Sequence, residues 1–251
     1  MQRAVNSRAI ATVNSVLSEI YRTGTVEDAD GVKTNPFPSA TPFAVGSVLS
    51  ALVTENRFTS TLEVGMAFGL STLFLCEALR SNGGGKHIAI DSAQSTEWKS
   101  IGLLNVRRAG LDDLVRFMEE PSHGGLGKLL SEGQQLDFAF IDGSHLFDYT
   151  LIDFFLVDKM LRTGGMVVFD DLWMPAVRDV VSYVVRNRAY RRVPITTIEP
   201  LWRKTARVLR RAAQTPFAGH AASVRFCTSN IFVLRKERED ERDWDFHRSF
   251  A

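Results

Sequence analysis

The sequence predicts a doubly wound α/β fold: a mostly parallel sheet of seven strands, covered on both faces, with helices ahead of it. Three observations carry this. Short apolar runs alternate with helix-like segments through the middle of the chain. The runs are continuously apolar, as strands buried on both faces are. Their spacing leaves room for a helical crossover between one strand and the next, which makes βαβ units.

The elements follow in order. "TLEV" (Thr61–Val64), "HIAID" (His87–Asp91), "LVRFM" (Leu114–Met118), "LDFAFID" (Leu136–Asp142) and "GMVVFDD" (Gly165–Asp171) read as buried strands. Helical patterns cover Leu70–Arg80, Glu97–Ala109, Gly125–Ser131, Phe147–Leu161 and Ala176–Asn187. Further on, "YRRVPITTI" and "SNIFVLRK" supply two more strands, with "LWRKTARVLRRAA" as a helix between them. Two helices precede Leu62. The first, "MQRAVNSRAIATVNSVLSEIYR", is amphipathic, with Val5, Ile10, Val13, Leu17 and Ile20 near one face. "GVKTNPFPSATPF" contains three prolines and several small polar residues, and reads as a loop able to close over a site. The chain thus divides into helices and lid loop (1–60), a sheet-centred unit (61–235) and a charged tail (236–251), the tail read as a solvated end.

Composition removes several classes. At 251 residues, with 45% apolar and 24% charged residues, the chain can bury a substantial core and is not a disordered sequence. No apolar run approaches the roughly 20 residues of a membrane span. The N-terminal stretch lacks the apolar core of a signal peptide. Cys76 and Cys227 give neither a disulfide framework nor metal-ligand spacing, so a cytoplasmic protein is expected. A net charge of +1 gives no sign of a nucleic-acid partner. From Arg178 to Arg211, however, ten basic residues face only Asp179 and Glu199. That run reads as a solvated or subunit-contact face, or as the receiver of a phosphorylated or carboxylated substrate.

The informative stretch is "LEVGMAFGLST", Leu62–Thr72. In a doubly wound sheet, ligands bind beyond the carboxyl ends of the strands where the strand order reverses. Gly65 and Gly69 fall in the turn between the first strand and its helix, where bare backbone permits close approach. The pattern is E-x-G-x-x-x-G rather than the G-x-G-x-x-G of a dinucleotide site, so an NAD dehydrogenase is disfavoured. Glu63 would repel a pyrophosphate but could organise the approach to an amino group. Asp91 ends the second strand, where an acid can accept both hydroxyls of a ribose. A nucleoside joined to an amino acid meets both demands, and S-adenosylmethionine is such a molecule.

On these residues the chain resembles the class I S-adenosylmethionine-dependent methyltransferases, from about Thr61 to Arg188. The resemblance implies their Rossmann-like fold and a cofactor held by Glu63, Gly65, Gly69, Ser71, Asp91 and Asp142, with Ser122 of "FMEEPSHGGL" near the adenine.

"AFIDGSH" and "VVFDDLW" end the fourth and fifth strands. Neighbouring strands lie about 4.8 Å apart, so Asp142, Asp170 and Asp171 can converge. Unpaired like charges raise one another's pKa, so such a cluster calls for protons or a cation. Oxygen ligands suit Mg²⁺, Ca²⁺ or Mn²⁺. The arrangement resembles the metal-dependent O-methyltransferases of the catechol type, and more closely a bacterial branch with D-G-x-H and D-D motifs that includes natural-product tailoring enzymes. The position three residues after the first metal acid, usually a lysine in the catechol type, is His145 here. It reads equally as the base that takes the acceptor's proton or as a helix-start histidine bonded to backbone. The expected activity is methyl transfer to a hydroxylated small molecule, with no membrane partner and with self-association left open. The alternatives are a metal-independent methyltransferase acting on nitrogen or another acceptor, and a non-methylating relative that keeps the fold.

Overall fold

Seven strands form one sheet in the computed structural model, which describes residues 5–6, 14–37, 39–196, 200–216 and 218–250. They are β1 (Ser60–Val64), β2 (Lys86–Ile90), β3 (Val115–Met118), β4 (Leu136–Ile141), β5 (Leu161–Phe169), β6 (Tyr190–Arg192) and β7 (Phe232–Lys236). Their order across the sheet is β3-β2-β1-β4-β5-β7-β6. The first five are parallel, and β7 runs antiparallel to both of its neighbours. The order reverses between β1 and β4, which opens a crevice at their carboxyl ends.

Helices cover both faces, as the continuously apolar strands require. On one face, α5 (Ser122–Ser131), α6 (Phe147–Met160) and α7 (Pro175–Asn187) pack on Leu62, Val64, Ile88, Ile90, Val167 and Phe169. On the other, α2 (Phe43–Glu55) and α3 (Leu70–Ser81) pack on Phe138, Phe140, Met166 and Val168. There α1 (Ser15–Thr23) and α4 (Ile101–Arg108) join α3 over Ala89. Two further helices, α8 (Leu201–Gln214) and the one-turn α9 (Ala222–Arg225), lie between β6 and β7 in the chain.

Several boundaries differ from expectation, each for a local reason. The first helix starts at Ser15, because the Asn14 side chain caps it by accepting the Leu17 N–H. Val5 lies upstream in a two-residue parallel pairing with Ile195 instead of on a helix face, while Ile10 and Val13 fall outside the described residues. Helix α4 starts at Ile101 rather than Glu97, since Lys99 and Ser100 both have left-handed backbone (φ 49° and 57°) that no helix can pass through. "YRRVPITTI" breaks at Pro194: Tyr190–Arg192 joins β7, and Ile195–Thr196 pairs with Val5–Asn6. The tail beyond Lys236 is largely exposed but tethered: Asn187 bonds the backbone of Arg248, and Phe250 packs on Phe147 and Tyr183. The segment read as a lid is partly built in, with Ala40 and Thr41 buried and the Thr41 carbonyl accepting from the Tyr21 hydroxyl at 2.5 Å.

Candidate active site

A cavity of about 1220 Å³ opens at the carboxyl ends of β1, β2, β4 and β5. Pockets for one small ligand hold roughly 300–1,000 Å³, so this one has room for two.

The β1–β2 end carries the glycine turn. Gly65 has φ +90°, and a Cβ there would sit 2.2 Å from the Asp142 carbonyl oxygen. Gly69 has φ +78°, and its Cβ would come within 2.9 Å of the Gly102 carbonyl oxygen. Both glycines are therefore required by crossings of the chain itself, before any ligand is considered. Gly65 and Ser71 line the cavity; Gly69 does not.

Glu63 is not on the cavity wall either. Strand alternation turns Leu62 and Val64 toward α5 and α6 and aims Glu63 at α3. There it accepts from the Thr72 hydroxyl and lies 3.2 Å from His87 Nε2, fully buried. Its expected role beside the cofactor's amino group gives way to a place in the sheet–α3 interface.

Asp91 does line the cavity, and it holds the turn in shape. Its Oδ2 accepts from the Met66 and Ala67 amides at 3.0 and 2.8 Å, and Oδ1 accepts from Ala93 at 2.8 Å. A fourth donor, Gln94 Nε2, stands 3.4 Å from Oδ2, so the protein itself supplies about as many donors as the carboxylate's four lone-pair sites accept. Ser122, at the first turn of α5, lines the same end with Glu120 and Pro121. Behind it on α6 stands Asp153, fully buried, both carboxylate oxygens without a hydrogen-bond partner, its pKa raised to about 6 by burial.

The β4–β5 end gathers charge. Asp142, His145 and Asp171 each bring a ligand atom within 4.8 Å of the others, while Asp170 stands outside that group. His145 Nε2 lies 2.5 Å from Asp171 Oδ2 and 3.8 Å from Asp142 Oδ1. Of the three expected carboxylates, Asp142 and Asp171 meet the imidazole of His145, and Asp170 lines the same cavity beside them. Asp170 is set back and largely buried, accepting from the Asp171 amide at 2.7 Å and from Asn230 Nδ2 at 3.1 Å. Asp171 adopts a left-handed backbone (φ 54°), which turns its carboxylate toward His145 and the Trp173 indole N–H, 2.8 Å away. Aspartate tolerates that conformation better than most residues.

The protonation pattern follows from these contacts. Contacts with Asp142 and Asp171 raise the His145 pKa to about 10, so the imidazole holds its proton at neutral pH. Burial pushes Asp142 up to about 6. Burial and the charges of Asp142 and Asp171 push Asp170 well above the usual carboxylate range. Burial opposes ionisation of Asp171 too, but the contact with His145 outweighs it and leaves the pKa below the ordinary value. His145 thus stands between two acids that favour its protonated form, and it meets side chains rather than backbone.

Asn230 was not legible as a site residue. It donates to Asp170 Oδ1 and Asp171 Oδ1, both at 3.1 Å, and its own Oδ1 accepts from the Trp173 amide. The basic run also divides. Arg178 and Arg211 are buried, Arg178 bonding the Leu172 and Trp173 carbonyls, while Arg207, Arg210 and Arg211 line the cavity from α8.

Known proteins match part of this chain. A family profile described as "Methyltransferase domain" matches residues 62–172, from the glycine turn to just past the paired acids. Over those residues the chain resembles methyltransferase domains. Over 148 residues the chain is 33% identical to the tapetum-specific methyltransferase 1 of Arabidopsis thaliana, covering 57% of this chain and 60% of that protein. A caffeoyl-CoA O-methyltransferase of Populus kitakamiensis is 30% identical over 149 residues, 56% of this chain and 59% of that one. The chain thus spans about 60% of the length of these relatives. An O-methyltransferase of Bacillus cereus, solved in complex with SAH, superposes with a TM-score of 0.60 at 20% identity, over 74% of this chain and 86% of that one. That likeness shows the fold.

Proposed function

We propose that the protein transfers a methyl group from S-adenosylmethionine to a hydroxyl of a small molecule, assisted by a divalent cation. One observation carries the reading: the glycine turn with its Asp91 brace and the Asp142–His145–Asp171 cluster open into one cavity large enough for two ligands. The O-methyltransferases among the similar proteins support the same acceptor chemistry.

The residues fit a cation. Two carboxylates and an imidazole converge, and a positive charge, the His145 imidazolium, already lies between the acids. Asp142 and Asp171 would hold the ion, with Asp170 behind them. A bound divalent cation supplies Lewis-acid polarisation of the acceptor oxygen and lowers its pKa. The chain supplies alignment: the Asp91-braced turn fixes the methyl donor at one end, and Trp173 walls the other. His145 keeps its proton while Asp142 and Asp171 face it. It becomes a proton acceptor only when those carboxylates are engaged elsewhere. A cytoplasmic setting belongs to this reading, supported by two buried unpaired cysteines. No helix among the described residues is long and apolar enough to cross a membrane.

The test is methyl transfer from labelled S-adenosylmethionine to a panel of hydroxylated acceptors, with the protein stripped by chelator and then titrated with Mg²⁺. Turnover should vanish on stripping and return with the ion. Full turnover in the stripped protein would leave a metal-independent methyltransferase instead.

A further inference from the structure

The cavity has one wall that methyl transfer alone leaves unexplained. Helix α8 turns Ala206, Arg207, Arg210, Arg211 and Gln214 toward it, positions that share one helical face. Arg211 is buried and committed to protein: its guanidinium bonds the Cys227 and Ser229 carbonyls at 2.8 and 2.9 Å. Arg207 bonds the Thr228 carbonyl. Arg210 is exposed on the cavity wall, and among the described residues neither it nor Arg211 has a carboxylate partner. A guanidinium is always charged and carries a planar fork of donors that matches a carboxylate or phosphate. The Asp142–His145–Asp171 cluster and Trp173 line the same cavity. The Trp173 N–H is spent on Asp171, which leaves its ring as an apolar surface. A molecule spanning this end would meet acids and a cation position at the strand ends, a flat ring along its side, and guanidinium groups on the helix.

We propose that the acceptor is a hydroxylated, flat molecule bearing an anionic group, carboxylate or phosphate, which Arg210 grips with Arg207 beside it. This rests on the methyl-transfer reading above and adds the substrate class. Charge-assisted hydrogen bonds to the anion set its orientation and favour it over neutral analogues by about tenfold or more.

The experiment compares four probes with one ring: 3,4-dihydroxybenzyl alcohol, 3,4-dihydroxyphenylacetate, 3,4-dihydroxybenzyl phosphate and 3,4-dihydroxybenzylamine. Each is titrated calorimetrically into the full chain with S-adenosylhomocysteine and Mg²⁺, and each is assayed separately for methyl transfer. At least one anionic probe should bind about tenfold more tightly than the alcohol, and the amine more weakly still. Which anion leads identifies the group recognised. Arg210→Gln should bring the anion-to-alcohol ratio down toward one. Arg203→Gln, which removes a charge from α8 that stacks on Trp202 away from the cavity, should leave the ratio as in the wild type. Equal binding of all four probes, no binding of any, or a ratio that survives Arg210→Gln would overturn the proposal. Anion-selective binding without methyl transfer would instead remove the methyl-transfer reading and leave the arginine wall as an anion site. Methyl transfer without anion selectivity would do the reverse.

Discussion

At the β1–β2 end of the cavity, one acid holds two segments with backbone donors: Asp91 braces the amides of Met66 and Ala67, 25 and 24 residues before it, and of Ala93 just after it. At the β4–β5 end, the partners come from far apart. Asp142 and His145 follow one strand, Asp170 and Asp171 another, Asn230 precedes a third, and the arginines stand on α8. The first end is finished by the protein alone, with its carboxylate satisfied by backbone donors. The second holds charges whose pKa values move in opposite directions: burial raises Asp142, the two acids raise His145, and contact with His145 leaves Asp171 low. The difference separates a turn held in shape by backbone donors from a cluster whose character is set by side-chain charges meeting from several elements.

The largest effect should come from the β4–β5 end. On the metal-assisted mechanism proposed above, Asp142→Ala should lower turnover by about 10³-fold, since Lewis-acid assistance would contribute several kcal/mol to the transition state. Calorimetry should show Mn²⁺ binding lost and S-adenosylmethionine affinity changed by less than about threefold. If both ligands weaken together, the two ends are not separable in this way.

A smaller effect is expected at the finished end. Asp91→Ala removes charge-assisted hydrogen bonds and should weaken S-adenosylmethionine binding by about 1.5–3 kcal/mol. Because the same carboxylate braces the turn, amide hydrogen exchange at Met66 and Ala67 should also quicken. Unchanged affinity would take Asp91 out of the cofactor's contacts and leave it as the brace alone.

The smallest effect concerns stability rather than ligands. The buried Asp153 has a native pKa of about 6 against an ordinary 3.8. The native state therefore binds this proton more tightly than the unfolded chain does, and the stability it contributes is present below about pH 4 and lost as the pH rises through 6. Asp153→Asn should match the wild type near pH 4 and exceed it by about 1–3 kcal/mol at pH 7. Denaturant melts at the two pH values check this. A variant less stable than the wild type at pH 7 would mean that the ionised carboxylate is held by a partner in the native protein.

Much of this was legible in the sequence because it is local. Five continuous apolar runs gave the parallel strands, and the acids that end them gave Asp91, Asp142, Asp170 and Asp171 by position alone. What one strand's alternation does to a side chain was harder to read. Glu63 sits one residue before Val64 and so faces α3, a consequence of the pleat that the E-x-G motif does not reveal. The charge state of His145 was hidden because it depends on two acids meeting it in space, and one of those turns inward only through the unusual backbone of Asp171. Asn230 lies about sixty residues from its partners, in a stretch read simply as the start of a strand. The arginines of α8 carried a readable charge but no readable direction, since the helix face that meets the cavity is decided by packing.

The antiparallel β7 works as a ruler of fixed length. Phe232 pairs with Phe169, so two residues farther out Asn230 comes opposite Asp171, and the Leu172 amide bonds the Asn230 carbonyl at 2.9 Å to extend the ladder. One residue added or removed between Asn230 and Phe232 would carry the amide away from the paired acids and reverse which side chains face the core. The turn at 132–133 is exposed and held by a surface ion pair between Glu132 and Arg116, so it tolerates a change of length better. Homologous chains that keep the amide brace should therefore vary in length before Ser229 and hold constant from Asn230 to the strand.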